Sequence, residues 1–359
     1  GTVSRFGAMV ILMGAWGCSE NTATQWSSRT GETGDGLHGM PLEPEPVIEE
    51  WGGGSTDGEL DRLRRLSLDI LLQAGDSENP LLRANALEAM QAAPEQLTPL
   101  LRRGLADANR GVRFVAAMSA GRIKAREVSP QLRSLLKDKS DSVRAAAMYA
   151  LTQCDQRVDL NPLASMLHSG NTEVKANAAM ILGELGNSSA VPLLRQAAGR
   201  GLERASQSRA RLVDLQIAEA MVKLGEDNEL EVIRAALFSL PDDDGELIAL
   251  ACQMCGELTD HRVVPNLQDL ARREGSRRMP AEIRMAATMA LAKIVPAQTP
   301  VEVPLGFAGN ELPELRHQAA LTLGELRSRE YLPQFAILLQ DSSPLVQVAA
   351  AGSILKIRR

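Results

Sequence analysis

From about Glu59 to the last residue, apolar side chains recur at steps of three and four with polar residues between them. Ala178-Ala179-Met180-Ile181-Leu182 and Ala319-Ala320-Leu321-Thr322-Leu323 are typical runs. Spacing of this kind lines one face of a helix, because an α-helix turns once every ~3.6 residues. Punctuation is as regular as the pattern. Gly and Pro stand nine residues apart at Gly121 and Pro130, Gly183 and Pro192, Gly256 and Pro265, and Gly324 and Pro333. A helical run precedes each Gly, and a second begins at each Pro: Leu132, Leu135, Leu136 after the first, and Phe335, Leu338, Leu339 after the last. Proline suits a first helical turn, where its missing N–H would be unpaired anyway.

A basic residue recurs eight positions before the Gly slot, at Arg113, Lys175 and Arg316. Arg83, Arg144 and Arg284 occupy the same slot in units that lack the Gly. Steps from Arg83 to Arg113, Arg144 and Lys175 are 30, 31 and 31 residues, and that from Arg284 to Arg316 is 32. Each unit is therefore helix A, a turn, and helix B opened by Pro. One hairpin cannot cover its own apolar faces, so neighbours must stack. First helices are expected near Asn79, Ala108, Ser140, Asn171, Arg209, Gly245, Pro280, Leu312 and Ser343, with a lead-in helix over Glu59–Gln73. The predicted fold is all-α: a solenoid of about eight hairpins plus a terminal helix over 59–359.

Asp141-Ser142-Val143-Arg144-Ala145-Ala146-Ala147 and Leu182-Gly183-Glu184-Leu185-Gly186 resemble the HEAT-repeat superfamily, in particular the short bacterial type found in phycobilisome lyase subunits and deoxyhypusine hydroxylase. That resemblance implies a scaffold used for many unrelated tasks, most often protein binding. Deoxyhypusine hydroxylase holds its di-iron centre on His-Glu dipeptides. None of His38, His168, His261 and His317 precedes a Glu here, so the metal chemistry is not expected to carry over. Glu184, Glu257 and Glu325 follow a Gly instead, and are expected on the surface at the A–B turn. Cys252-Gln253-Met254-Cys255 aligns with core positions of helix A, which predicts packing and not redox chemistry, and Cys154 falls in a core slot too. No cofactor is expected. A phycobilisome-lyase-like accessory role, handling a cofactor or client protein, is the alternative. It is weakened by the absence of Trp and the presence of only two Tyr in the repeats.

Composition changes the picture mainly at the N-terminus. Trp16, Trp26 and Trp51 all lie in the first 51 residues, so the repeat core must be aliphatic. Phe6 to Trp16 is an apolar stretch behind Arg5, too short to span a bilayer. Ala15-Trp16-Gly17-Cys18 resembles the lipobox of bacterial lipoproteins, in which the Cys receives the lipid. Residues 1–18 are thus expected to be a signal segment, with lipid on Cys18 tethering the protein to a membrane of the cell envelope. Two alternatives stay open: export without lipidation, and a plain apolar N-terminus on a cytoplasmic protein. Residues 19–58, rich in Ser, Thr, Gly, Pro and Glu, read as an acidic linker.

The chain carries a net charge of −6, all of it within residues 1–58, so the repeat region is balanced. Balance argues against nucleic acid, which needs a basic footprint. A second protein is the expected partner, engaged through an acidic or phosphorylated segment. Two insertions suggest where. Gly199–Arg209 brings Arg200, Arg204 and Arg209; 272–278 brings Arg272, Arg273, Arg277 and Arg278. Both join a helix B to the next helix A, hence one edge of the stack. A concave face lined by B helices, as the resemblance implies, adds Arg102, Arg103, Arg133 and Lys137 as candidate binding residues, with Gln131 and Arg195 beside them. No catalytic set is expected.

Overall fold

A computed structural model of the chain describes residues 56–273 and 279–358. Eighteen α-helices follow one another among these residues. The even ones are α2 (Pro80–Ala89), α4 (Arg110–Arg122), α6 (Asp141–Gln153), α8 (Thr172–Leu185), α10 (Gln207–Lys223), α12 (Pro241–Glu257), α14 (Ala281–Ile294), α16 (Pro313–Leu326) and α18 (Pro344–Lys356). The odd ones are α1 (Thr56–Gly75), α3 (Pro94–Leu105), α5 (Ser129–Leu135), α7 (Asn161–Leu167), α9 (Val191–Ala197), α11 (Leu230–Ala236), α13 (Val264–Arg272), α15 (Glu302–Phe307) and α17 (Leu332–Leu338). Side-chain caps start several even helices: Asn79, Asn109, Ser140 and Asn171 each accept from a backbone N–H of the first turn. Seven of the nine expected starts fall on or beside the observed cap. The exceptions follow irregular loops. α10 is capped by Ser206, and α12 begins at Pro241 with a kink at Asp244, just before the expected Gly245.

Even helices pack side by side in sequence, and most of their described residues are buried or half-buried. Odd helices lie against them with one face in solvent and scarcely meet each other. Even helices therefore form an inner wall and odd helices an outer wall. Small residues make the inner packing possible. A Cβ on Gly324 of α16 would stand 2.2 Å from Ser353 Oγ of α18. The same closeness recurs where no sequential neighbour exists: a Cβ on Gly352 of α18 would stand 2.8 Å from Ala89 Cβ of α2. The last inner helix thus packs on the first. α1 packs on α18 as each outer helix packs on its inner partner. Arg64 of α1 donates to the Ile357 carbonyl at 2.6 Å, and Arg329 pairs with Asp57 at 2.6 Å.

The solenoid is consequently a closed ring of nine hairpins. The expected lead-in helix and the unpaired terminal helix are two halves of the ninth. One apolar cluster runs from Leu60 to Met221 and continues across the seam from Ala320 to Ile357. Two smaller clusters, around Leu212–Ile294 and around Met285, Val303 and Ala319, fill the irregular sector. The recurring basic slot clips repeats together. Arg83, Arg113 and Arg316 each pair with an Asp of the next interrepeat loop, Asp107, Asp138 and Asp341, at 2.7–2.8 Å. Each also donates to carbonyls of its own loop. Lys175 breaks the series: it is fully buried, and its Nζ reaches the Arg200 carbonyl. No described helix is long and apolar enough to cross a membrane.

Candidate functional site

Eight of the nine inner helices end in one polar side chain at the ring's centre, the residue that follows the Gly slot. Around the ring these are Arg122, Gln153, Glu184, Lys223, Glu257, Lys293, Glu325 and Lys356. Gln153 is neutral, but from Glu184 to Lys356 acid and base alternate, and neighbours pair. Lys223 donates to Glu184 at 2.8 Å, Lys356 to Glu325 at 2.6 Å, and Lys293 to Glu257. Lys223 also meets Glu219, one turn back on its own helix, at 2.8 Å. The lysines and glutamates of this annulus are only 5–13% exposed. Helix C-termini carry partial negative charge, so nine of them together favour the bases and burden the acids. Every acid in this group therefore needs its lysine.

Electrostatics confirm that the annulus is one cluster. Glu88 of α2 senses Arg122, Lys356 and Lys293, which attract it, and Glu257, which repels it; these stand on α4, α18, α14 and α12. Burial outweighs the attraction and pushes the Glu88 carboxyl up to about 7. Its Oε1 is shut off from solvent and accepts no hydrogen bond from the protein. Burial brings Arg122 down to about 10 against the pull of Glu88. Burial would lower Lys223, yet Glu219 and Glu184 together hold it above its ordinary value. Burial raises Glu257 despite Lys293. Glu325 faces the same burial, but Lys356 and Lys293 outweigh it and hold its carboxyl below the usual range. Five acids thus face four bases, and Glu88 is the one held nearest to neutrality. The group can lock the inner wall and store a proton.

This annulus corrects two sequence expectations. Glu184, Glu257 and Glu325 are not surface residues; they line the ring's interior. B helices do not line the concave face either; they form the outer wall. The alternation of charge at one repeat position was visible in the chain and would have revealed the annulus.

Arg102, Arg103, Arg133, Lys137 and Arg195 accordingly stand outside, on or just after outer helices. Arg103 pairs with Asp76 at 3.2 Å and Arg195 with Glu226 at 2.7 Å. Arg133 donates to Gln156 at 2.7 Å, whereas the Lys137 side chain is exposed and makes no hydrogen bond or ion pair among the described residues. Of the insertion arginines, Arg209 pairs with Glu246 at 3.3 Å, Arg272 with Glu302 at 3.2 Å, and Arg273 with Asp269. Arg200 gives its carbonyl to Lys175, and Gly199 donates its N–H to Asp214 at 2.8 Å, so this loop is tied to the inner wall. Arg204 is exposed. Arg277, Arg278 and Cys18 lie outside the described residues. Among the described residues, Arg200, Arg204 and Arg209 are not brought together with Arg272 and Arg273, because α10–α12 stand between them.

Cys154, Cys252 and Cys255 are free and buried, as expected of core residues, and burial pushes the Cys255 thiol up to about 12. Burial lowers His317 to about 4. Among the described residues, no group of three or more His, Cys, Asp or Glu is placed to hold a metal ion.

Comparison with known proteins agrees with the architecture. Residues 68–152 match the family described as HEAT repeats, and residues 174–200 match the PBS lyase HEAT-like repeat. Both matches support repeats of the HEAT type within those residues, and HEAT repeats generally mediate protein–protein interactions. No curated relative matches it in sequence. One solved structure, of an engineered protein, is similar at 18% identity and a TM-score of 0.32, covering 85% of this chain and 96% of that one. A second engineered protein is 21% identical with a TM-score of 0.33, covering 56% and 97%.

Proposed function

We propose that this ring is a non-enzymatic platform for a partner protein, held at a membrane by a lipid on Cys18, and that it engages the partner with its outer wall and edges. The observation that carries this reading is closure. An open solenoid offers its concave face as a groove, but here that face is an inner wall whose charged groups pair with one another. Binding surface is left outside, on the short odd helices and the loops between repeats. Three insertion arginines, Arg209, Arg272 and Arg273, already have an acidic neighbour in the ring, which argues against a purely anionic partner.

Crosslinking with mass spectrometry in intact cells tests the platform. Crosslinks to another protein should map to odd helices and interrepeat loops; crosslinks confined to the inner wall would overturn it. Charge reversal of Arg272, Arg273, Arg277 and Arg278 tests the insertion separately: unchanged partners would remove that loop from the interface. Cys18→Ser should move the protein from the membrane fraction to the soluble one. Continued tight membrane association would sink the lipid tether and leave the platform standing.

A further inference from the structure

Exposed apolar side chains are scattered singly on α1, α15 and α17 but gather at one outer helix. α5 and α9 turn polar side chains to solvent, such as Arg133, Ser134, Arg195 and Gln196. α11 and the turn after it expose Val232 (46%), Phe238 (71%) and Leu240 (67%). Of seven large apolar side chains exposed among the described residues, three therefore fall within nine positions. Backbone bonds from Phe238 to Ala235 and from Ser239 to Ala236 continue the helical winding beyond α11. Glu231, Val232, Ala235 and Phe238 consequently share the exposed face of α11 and its continuation.

Charge in this sector is one-sided. Residues 201–260 hold thirteen acids against five bases, a net −8, whereas residues 94–160 sum to +5. Four of the five bases are already engaged: Lys223 in the annulus, Arg234 with Asp260, Arg209 with Glu246, and Arg211 with Asp244. Of the acids, Glu226 and Glu257 pair with Arg195 and Lys293 from outside this stretch, and Glu219 and Glu231 pair within it. Around the stripe, Glu231 pairs with Arg234 at 2.5 Å yet stays 71% exposed, and Asp227 is exposed.

We infer that this stripe is a docking site for a cationic amphipathic segment of another protein, with apolar anchors on Val232, Phe238 and Leu240 and basic side chains toward Asp227, Glu229 and Glu231. The inference rests on the platform reading and names the class of partner. Charge complementarity selects the occupant. Anionic lipid and nucleic acid are repelled by the acidic sector. A second copy docking stripe to stripe would bring two acidic sectors together.

Fluorescence anisotropy on the full chain tests it, with a labelled synthetic helical peptide bearing Leu on one face and Lys on the other. The control peptide has Glu in place of Lys. The Lys peptide should bind and weaken as salt rises. F238S with L240S should weaken it at least tenfold, as should E229K with E231K; K139E with R157E should not change it. Equal binding of both peptides, equal binding to the stripe variants, or stronger binding to phosphatidylserine vesicles than to the peptide would overturn the inference. The cell crosslinks separate the two levels. Partners on other parts of the outer wall, with none at α11, would overturn this site and leave the platform; no outer-wall partner at all would overturn both.

Discussion

Inner and outer walls carry the same kinds of ion pair and use them differently. Lys293–Glu257 and Lys356–Glu325 on the inner wall are 5–12% exposed. Arg126–Asp155 on the outer wall is 66% and 70% exposed. Water screens the outer pair, so its net worth is about 0–1 kcal/mol. The inner pairs have lost their hydration, and each depends on its partner. What differs is the dielectric around the charges, set by where the helix sits in the ring.

The largest effect should come from orphaning a buried acid. Lys293→Met leaves Glu257 without its base and should cost about 3–5 kcal/mol in denaturant unfolding. Adding Glu257→Leu should recover most of that loss; no recovery would mean the lysine acts by packing alone. Next comes Glu88. Its carboxyl sits at about 7 in the ring against an ordinary value of 4.5. Between those values the folded state keeps a proton that the unfolded chain has released, so stability falls as pH rises from about 4.5 to 7 and then levels off. Glu88→Gln should remove that slope, roughly 2–3 kcal/mol between pH 5 and 8. Parallel pH profiles for the two proteins would refute the assignment.

A smaller loss is expected from the clips between repeats. Arg316→Ala leaves Asp341 with only the backbone N–H of Ser343, and should cost about 2 kcal/mol by thermal or chemical unfolding. Arg126→Ala on the outer wall should stay within about 0.5 kcal/mol. A cost near that of Arg316→Ala would erase the contrast between the walls.

Much of this was legible in the chain. Gly and Pro punctuation located the hairpins, and the starts at Asn79, Ser140, Asn171, Pro280, Leu312 and Ser343 coincide with observed caps. Core roles for Cys154, Cys252 and Cys255 were legible as well, from their register. Starts failed at α10 and α12, where the irregular loop and the kink at Asp244 shift the register. The inner wall was misplaced because both helices of a hairpin are amphipathic. Runs such as Ala145-Ala146-Ala147 and Ala349-Ala350-Ala351 held the missing signal: small residues on every side suit a helix packed on every side.

Sequence alone determined the all-α class, the repeat, and the hairpin boundaries, because these follow from periodicity and turn chemistry within some thirty residues. Closure was decided only in three dimensions. It depends on small rotations added over nine hairpins until α18 meets α2 and α1, contacts separated by nearly the whole described chain. The same closure turned Glu184, Glu257 and Glu325 from expected surface residues into the buried half of an annulus. An amphipathic pattern tells which face of a helix is covered, not what the ring puts opposite it.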